Sequence, residues 1–213
     1  MSTAEPGGGG AGRVTGRGRV AGGSRGSGSG RQVTGSSRAP AEAADSLPAT
    51  LMSGAAALEK RFAGRRLERV ETHGELTYVV APADWVEILS ACKQMRELAF
   101  DQLDCLFGDH LPERPTAPFE VVAHLVSHTH RHRLRVKAAL AEGQGLATVT
   151  ALWPSAGFDE RETWEMFGIE FEGHPYLRRL LTTDDFEGFP LRKDFPLQGT
   201  VGGRIRTDLR GKI

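Results

Sequence analysis

The chain has 213 residues and a formal net charge of zero, from 27 basic and 27 acidic side chains. Its two cysteines, Cys92 and Cys105, form no CxxC pair, which excludes a disulfide framework, a zinc ribbon and an iron–sulfur cluster held by this chain alone. A reducing compartment is the simplest expectation, with no apolar run long enough for a membrane helix and no apolar core of a secretory signal at the N-terminus.

The zero charge hides an asymmetry. Residues 1–40 carry six Arg, no Lys, Glu5 as the single acidic residue, and thirteen Gly. The remainder is mildly acidic and does not by itself favour nucleic acid. So many glycines with so few apolar side chains predict a disordered Gly/Arg-rich tail over residues 1–47. Gly16, Gly18 and Ala21 match GxGxxA in form only, because no strand precedes them. Arg-Gly repetition can bind RNA or acidic surfaces, but an unstructured extension explains it more simply. The apolar residues of an amphipathic transit peptide are missing.

Residues 48–157 predict an α+β domain. A helix is expected from Leu51 to Val70, with Leu51, Leu58, Phe62 and Leu67 near one face and Gly64 as a soft spot. Strands follow over Arg69–Thr72 and Glu75–Ala81, joined by a turn at His73-Gly74. Pro82 and Asp84 open a second helix, in which Trp85, Ile88, Leu89, Cys92 and Met95 form an apolar stripe. Phe100–Phe107 predicts a further strand, followed by the Pro-rich loop between Asp109 and Pro118. Then comes the clearest hairpin: Phe119–Val126 and Arg131–Ala138 both alternate with period two, implying one buried and one open face.

Two clusters in this hairpin invite a functional reading. His124, His128, His130 and His132 share parity, but the turn between Ser127 and Arg131 breaks their common face. No carboxylate or cysteine beside them completes a metal shell, so they are expected to be turn and surface histidines. Arg131, Arg133, Arg135 and Lys137 form a basic stripe, either a solvated outer face or a surface for an acidic partner.

Residues 158–213 predict a short helix and an extended arm. Asp159 with Glu162 fits a capping box, and Gly168 fits the position just past the helix C-terminus. Glu160 and Glu162 are not a catalytic carboxylate pair, since residues i and i+2 on a helix point apart. Beyond Gly168, Pro175, Pro190 and Pro196 interrupt any regular element. Yet Phe171, Tyr176, Leu180, Leu181, Phe186, Phe189, Leu191, Phe195 and Leu197 follow, and leaving each exposed forgoes about 1.5–3 kcal/mol of burial. With Arg178, Arg179, Arg192, Lys193, Asp184, Asp185, Glu187 and Asp194 interleaved, the segment reads as a ribbon for a partner surface, in preference to one wrapped on its own domain.

The runs ERETWEMFGIEF, EGHPYLRRLL and DDFEGFPLRKDFPL resemble the signature of the 30-kDa (C-type) subunit of respiratory complex I, NADH–quinone oxidoreductase. A looser resemblance covers Leu51–Trp153. Phe189, where the family often has His, and the strand near Cys105 depart from the pattern. The resemblance implies an α+β domain, with helices on a mixed, mostly antiparallel sheet, and an arm that wraps the neighbouring 49-kDa (D-type) subunit close to the iron–sulfur (B-type) subunit. It places partner contacts at Glu160, Arg161, Glu162, Phe167, Gly168, Gly173, His174, Pro175, Arg178, Phe186, Pro190, Leu191, Arg192, Lys193, Asp194, Phe195 and Pro196. It further implies no cofactor, metal or catalytic residue on this chain; NADH, FMN, iron–sulfur clusters and quinone are handled by other subunits. Attachment to the cytoplasmic side of the cell membrane would come through the complex. A related subunit of an energy-converting membrane hydrogenase is the nearest alternative, and an RNA-binding protein acting through its Arg-Gly tail is one from a different class.

Overall fold

The computed structural model describes residues 47–196 together with the strand pair Thr200–Val201 and Arg204–Ile205. The Gly/Arg-rich tail up to residue 46, and Leu197 on the arm, lie outside the described residues. The first helix, α1, runs only from Ala49 to Arg61. Its predicted continuation to Val70 is overturned: Gly64, at φ +91°, takes a left-handed conformation that a helix cannot contain, and the chain re-enters as a strand at Leu67.

Strands β1 (Leu67–Thr72) and β2 (Glu75–Val80) then form a hairpin. Its two-residue turn has His73 and Gly74 at φ 54° and 71°, the positive values that match the twist of flanking strands. A single 3-10 turn, Pro82–Asp84, leads into α2 (Trp85–Gln94). Trp85, Ile88, Leu89 and Cys92 are buried as the stripe predicts. Strand β3 spans Gln102–His110, two residues later at its start and three later at its end than expected. Strands β4 (Phe119–Ser127) and β5 (His132–Leu140) make the long hairpin.

These strands form one sheet in the order β1-β2-β5-β4-β3, parallel between β2 and β5 and antiparallel elsewhere. One face carries Leu76, Tyr78, Leu106, Val121, Ala123, Leu125, Leu134, Val136 and Ala138, all in a single core with the buried residues of α1 and α2. A third helix, α3 (Ala156–Phe167), packs over edge strand β3 on the same face. A short parallel pair, β6 (Leu146–Ala147) and β7 (Phe171–Glu172), ties the segments before and after α3 together. The fold is therefore α+β, as expected, with helices on one face of a mixed, mostly antiparallel sheet.

The opposite face is less open than simple alternation implies. On β4, Glu120 and Val122 point outward yet are 5% and 3% exposed. The strand is central, and long side chains cross over it: Arg114 and Lys137 both reach the Glu120 carboxylate, at 2.8 and 2.6 Å. These cations outweigh the burial that would raise the Glu120 pKa, and hold it below the usual carboxylate range. No helix among the described residues is long and apolar enough to cross a membrane.

Candidate functional site

The chemistry-bearing residues converge on α3 and the chain that doubles back over it, residues 173–195. Helix α3 ends where Gly168 adopts φ +78°, donating its amide to Trp164 O. A Cβ there would lie 2.7 Å from the Phe189 ring, so glycine serves both the left-handed turn and the close approach of the arm. This end of the helix follows the sequence expectation. The other end does not.

Ser155 precedes the first turn without a side-chain capping bond. Asp159 instead accepts the Leu106 amide of β3 at 2.9 Å, and Glu162 is exposed, so the predicted capping box is absent. Asp159 lies one turn into the helix, where its side chain reaches the neighbouring sheet edge rather than its own N-terminal amides. Burial raises its pKa against the opposing bond from Leu106.

Glu160 and Glu162 do point apart. Glu160 is fully buried and accepts the Val149 amide at 2.7 Å and the Thr148 hydroxyl. Burial pushes its pKa up, opposed by those two donors. His174 lies alongside, its Nε2 at 3.9 Å from Glu160 and 3.1 Å from Gly157 O, while its Nδ1 accepts the Tyr176 amide at 3.0 Å. Arg161 donates to the carbonyls of Arg178 and Arg179 at 2.8 and 3.0 Å, and its guanidinium sits over the Tyr176 ring.

Glu165, which sequence reasoning missed, is the central acceptor. It is 1% exposed and takes the amides of Leu180, Leu181 and Thr182 at 2.6, 3.0 and 2.6 Å, together with the Thr182 hydroxyl. Burial opposes ionisation, but those donors outweigh it and hold the carboxyl at about pKa 2. A ribbon without a partner strand must find acceptors for its amides elsewhere, and that accounting is the signal that could have pointed to Glu165.

The returning limb is tied in the same manner. Leu191 donates its amide to Met166 O at 3.1 Å, and Lys193 donates its amide to His110 Nδ1 at 2.9 Å. Arg192 donates to Phe167 O at 2.6 Å, pairs with Glu142 at 3.0 Å, and lies over the rings of Phe119 and Phe189. Phe167 is buried beneath, Gly173 turns the chain at φ +80°, and Pro190 is half-buried. Phe186 and Phe195 stack on each other, centroids 6.0 Å apart, and both are half-buried. Pro175, Arg178, Asp194 and Pro196 are exposed.

The expectation that the ribbon does not wrap its own domain thus needs correction for its backbone, which is bonded to α3 on both limbs. Its apolar side chains behave differently: Tyr176, Leu181 and Leu191 are 54%, 63% and 53% exposed, with Phe158 on α3 at 61%. What remains is a set of exposed apolar side chains, three of them on a braced backbone, of the kind that suits docking against another surface.

The histidines and the basic stripe take separate partners, although His132 is buried, against the surface position expected for it, and stacks on His130 with ring centroids 5.3 Å apart. His128 pairs with Asp101, His130 and His132 reach the carbonyls of Arg96 and Leu98, and His124 lies beside Arg135. Among the described residues, no three His, Cys, Asp or Glu side chains gather as a metal site would require. Arg131 sits in the turn at φ 56° rather than on the strand, while Arg135 and Lys137 are paired with Glu75 and Glu120.

Comparison with known proteins adds a second line. Residues 78–201 match the family model described as respiratory-chain NADH dehydrogenase, 30 Kd subunit. The chain is 47% identical over 128 residues to C-type subunit 2 of the NADH-quinone oxidoreductase of Rhizobium meliloti (strain 1021), covering 60% of this chain and 69% of that protein. It is 44% identical over 144 residues to the C-type NADH-quinone oxidoreductase subunit of Citrifermentans bemidjiense, covering 67% and 87%. A trypsin-resistant fragment of Nqo5 superposes with a TM-score of 0.50 at 30% identity, covering 60% of this chain and 99% of the fragment. A chain of an archaeal membrane-bound sulfane sulfur reductase complex shares the fold, with a TM-score of 0.59 at 22% identity over 68% of this chain and 85% of that one.

Proposed function

Since the chain belongs to the 30-kDa subunit family of respiratory-chain NADH dehydrogenase, we propose that it acts in NADH–quinone oxidoreductase by holding neighbouring subunits together. Electrons pass from NADH to quinone through the complex, and this subunit supports that transfer without catalytic residues or a cofactor of its own. Its neighbours are the 49-kDa (D-type) subunit, which the arm grips, and the iron–sulfur (B-type) subunit. The protein sits peripherally on the cytoplasmic side of the membrane and is attached through the complex. The observation that carries the docking role is the arm itself, whose backbone is fixed by Glu165, Arg161 and His110 while Tyr176, Leu181 and Leu191 stay exposed.

The test is purification of the tagged full chain from detergent-solubilised membranes. Co-purification with the 49-kDa-type and iron–sulfur subunits, and NADH:quinone reductase activity lost on deletion and restored by complementation, is the expected outcome. Co-purification with a nickel-containing hydrogenase large subunit instead would reassign the complex. Flavin or stoichiometric iron retained by the isolated chain would sink the cofactor-free role.

A further inference from the structure

The outgoing limb of the arm carries donors that its own domain does not use. Arg161 is fixed through Nε and Nη2, which donate to the carbonyls of Arg178 and Arg179 at 2.8 and 3.0 Å. Its Cζ lies 5.4 Å from the centroid of the Tyr176 ring, and Arg178 Cζ lies 5.1 Å from the same centroid. Arg178 Nη1 also donates to the Tyr176 hydroxyl oxygen. The Tyr176 amide is held by His174 Nδ1 at 3.0 Å, and His174 Nε2 donates to Gly157 O at 3.1 Å. Two cations therefore share one ring, on a backbone that is already fixed.

The domain offers this pair no counter-charge. Neither Arg161 nor Arg178 is in an ion pair among the described residues. Glu160, next to Arg161 in sequence, turns inward to Val149 and Thr148, and Glu165 spends its oxygens on residues 180–182. Arg178 is exposed, and among the described residues its Nε and Nη2 have no acceptor. Those two nitrogens lie side by side on a guanidinium and form the fork that fits both oxygens of a carboxylate. The Tyr176 hydroxyl, bonded to the same guanidinium, accepts from Arg178 and keeps its own proton to donate.

The surrounding charge decides which anion suits the fork. Beyond residue 40 the chain is acidic on balance, which opposes a polyanion such as nucleic acid or an anionic bilayer. A single carboxylate among apolar side chains meets no such barrier. Leu180 and Leu181, 38% and 63% exposed, follow on the same limb. Arginine and aromatic anchors with apolar neighbours are the make-up of a protein interface.

Resting on the neighbour assigned above, we propose that Arg178 and Tyr176 grip an aspartate or glutamate side chain of the 49-kDa-type subunit, with Arg178 Nε and Nη2 on its two oxygens. Arg161 positions the ring and adds positive potential.

The test places an amine at position 178. Arg178→Lys keeps the charge, and a carbodiimide joins an amine directly to a carboxylate in contact with it. The complex is purified through the tagged full chain from detergent-solubilised membranes, treated, and read by peptide mass spectrometry. The expected product is an amide between position 178 and an Asp or Glu of the 49-kDa-type subunit, absent from the wild type. In the same complex, Arg178→Gln should dissociate about tenfold faster on dilution, the worth of one charge-assisted bond. Tyr176→Phe keeps the ring and should dissociate about threefold faster, the worth of a neutral bond. Neither change should move the thermal midpoint of the isolated full chain. Coupling only within this chain, or none in a complex that contains the 49-kDa-type subunit, overturns the grip and leaves that neighbour standing. Unchanged dissociation of Arg178→Gln does the same, as does binding of RNA or phosphatidylglycerol vesicles by the isolated chain that Arg178→Gln abolishes. Coupling to some other subunit, or absence of the 49-kDa-type subunit from the wild-type complex, overturns the neighbour as well.

Discussion

In the sheet domain the large side chains face inward: Trp85, Tyr78, Phe100 and Leu125 have no exposed surface. In the arm it is the backbone that faces inward, while Tyr176, Leu181 and Leu191 each keep more than half of their surface in solvent. The first region is held by apolar burial, and the second by amides donated to Glu165 and His110 and carbonyls accepting from Arg161 and Arg192. Segments rich in apolar residues thus need not use them in the same way. An arm can be ordered by its main chain and leave its side chains for another protein.

Removing core volume should have the largest effect. Trp85→Ala is expected to cost about 3–5 kcal/mol and to lower the denaturant midpoint of the whole domain, arm included. Glu165→Ala should come next, at about 3 kcal/mol from the loss of its charge-assisted bonds, but confined to the arm. Hydrogen exchange would show fast amides at Leu180, Leu181 and Thr182, with the midpoint of the sheet domain scarcely moved. A global midpoint shift matching that of Trp85→Ala would erase the distinction between the two regions.

Acid should separate the regions without mutation. The Glu165 carboxyl is depressed from an ordinary 4.5 to about 2, so its contribution is fully present above about pH 4.5 and is lost as pH falls through about 2. Wild-type arm protection should fade across that window, and Glu165→Ala should show no such transition. The smallest effect on the isolated chain belongs to Leu181→Ser, expected within about 0.5 kcal/mol of wild type because the side chain is exposed. Its effect should appear on native gels as reduced incorporation into the complex. A normal yield of active complex would argue against side-chain docking at that position.

The parts of the fold that are legible in the sequence are those in which periodicity meets apolar chemistry. The stripe beginning at Trp85 and the Phe119–Ala138 hairpin are such cases, as is the glycine stop at 168. Apolar spacing overextends the first helix because Leu67 continues its pattern, although Gly64 has already ended the element. Around α3, the Asp159/Glu162 spacing suggests a cap, but a side chain's partner depends on what packs beside it, here the Leu106 amide. Glu165 leaves no periodic trace. A buried carboxylate becomes intelligible only when the unpaired amides of residues 180–182 are brought to it by the fold.

The bond from Leu106 to Asp159 also bears on the interval before assembly. Strand β3 is the last in its sheet, and the outward amides of a terminal strand are a template on which another polypeptide can add. A carboxylate carried by α3 occupies one such amide near the middle of the strand. A polypeptide approaching the β3 edge therefore meets one amide already taken, which obstructs strand addition at that margin before the other subunits arrive.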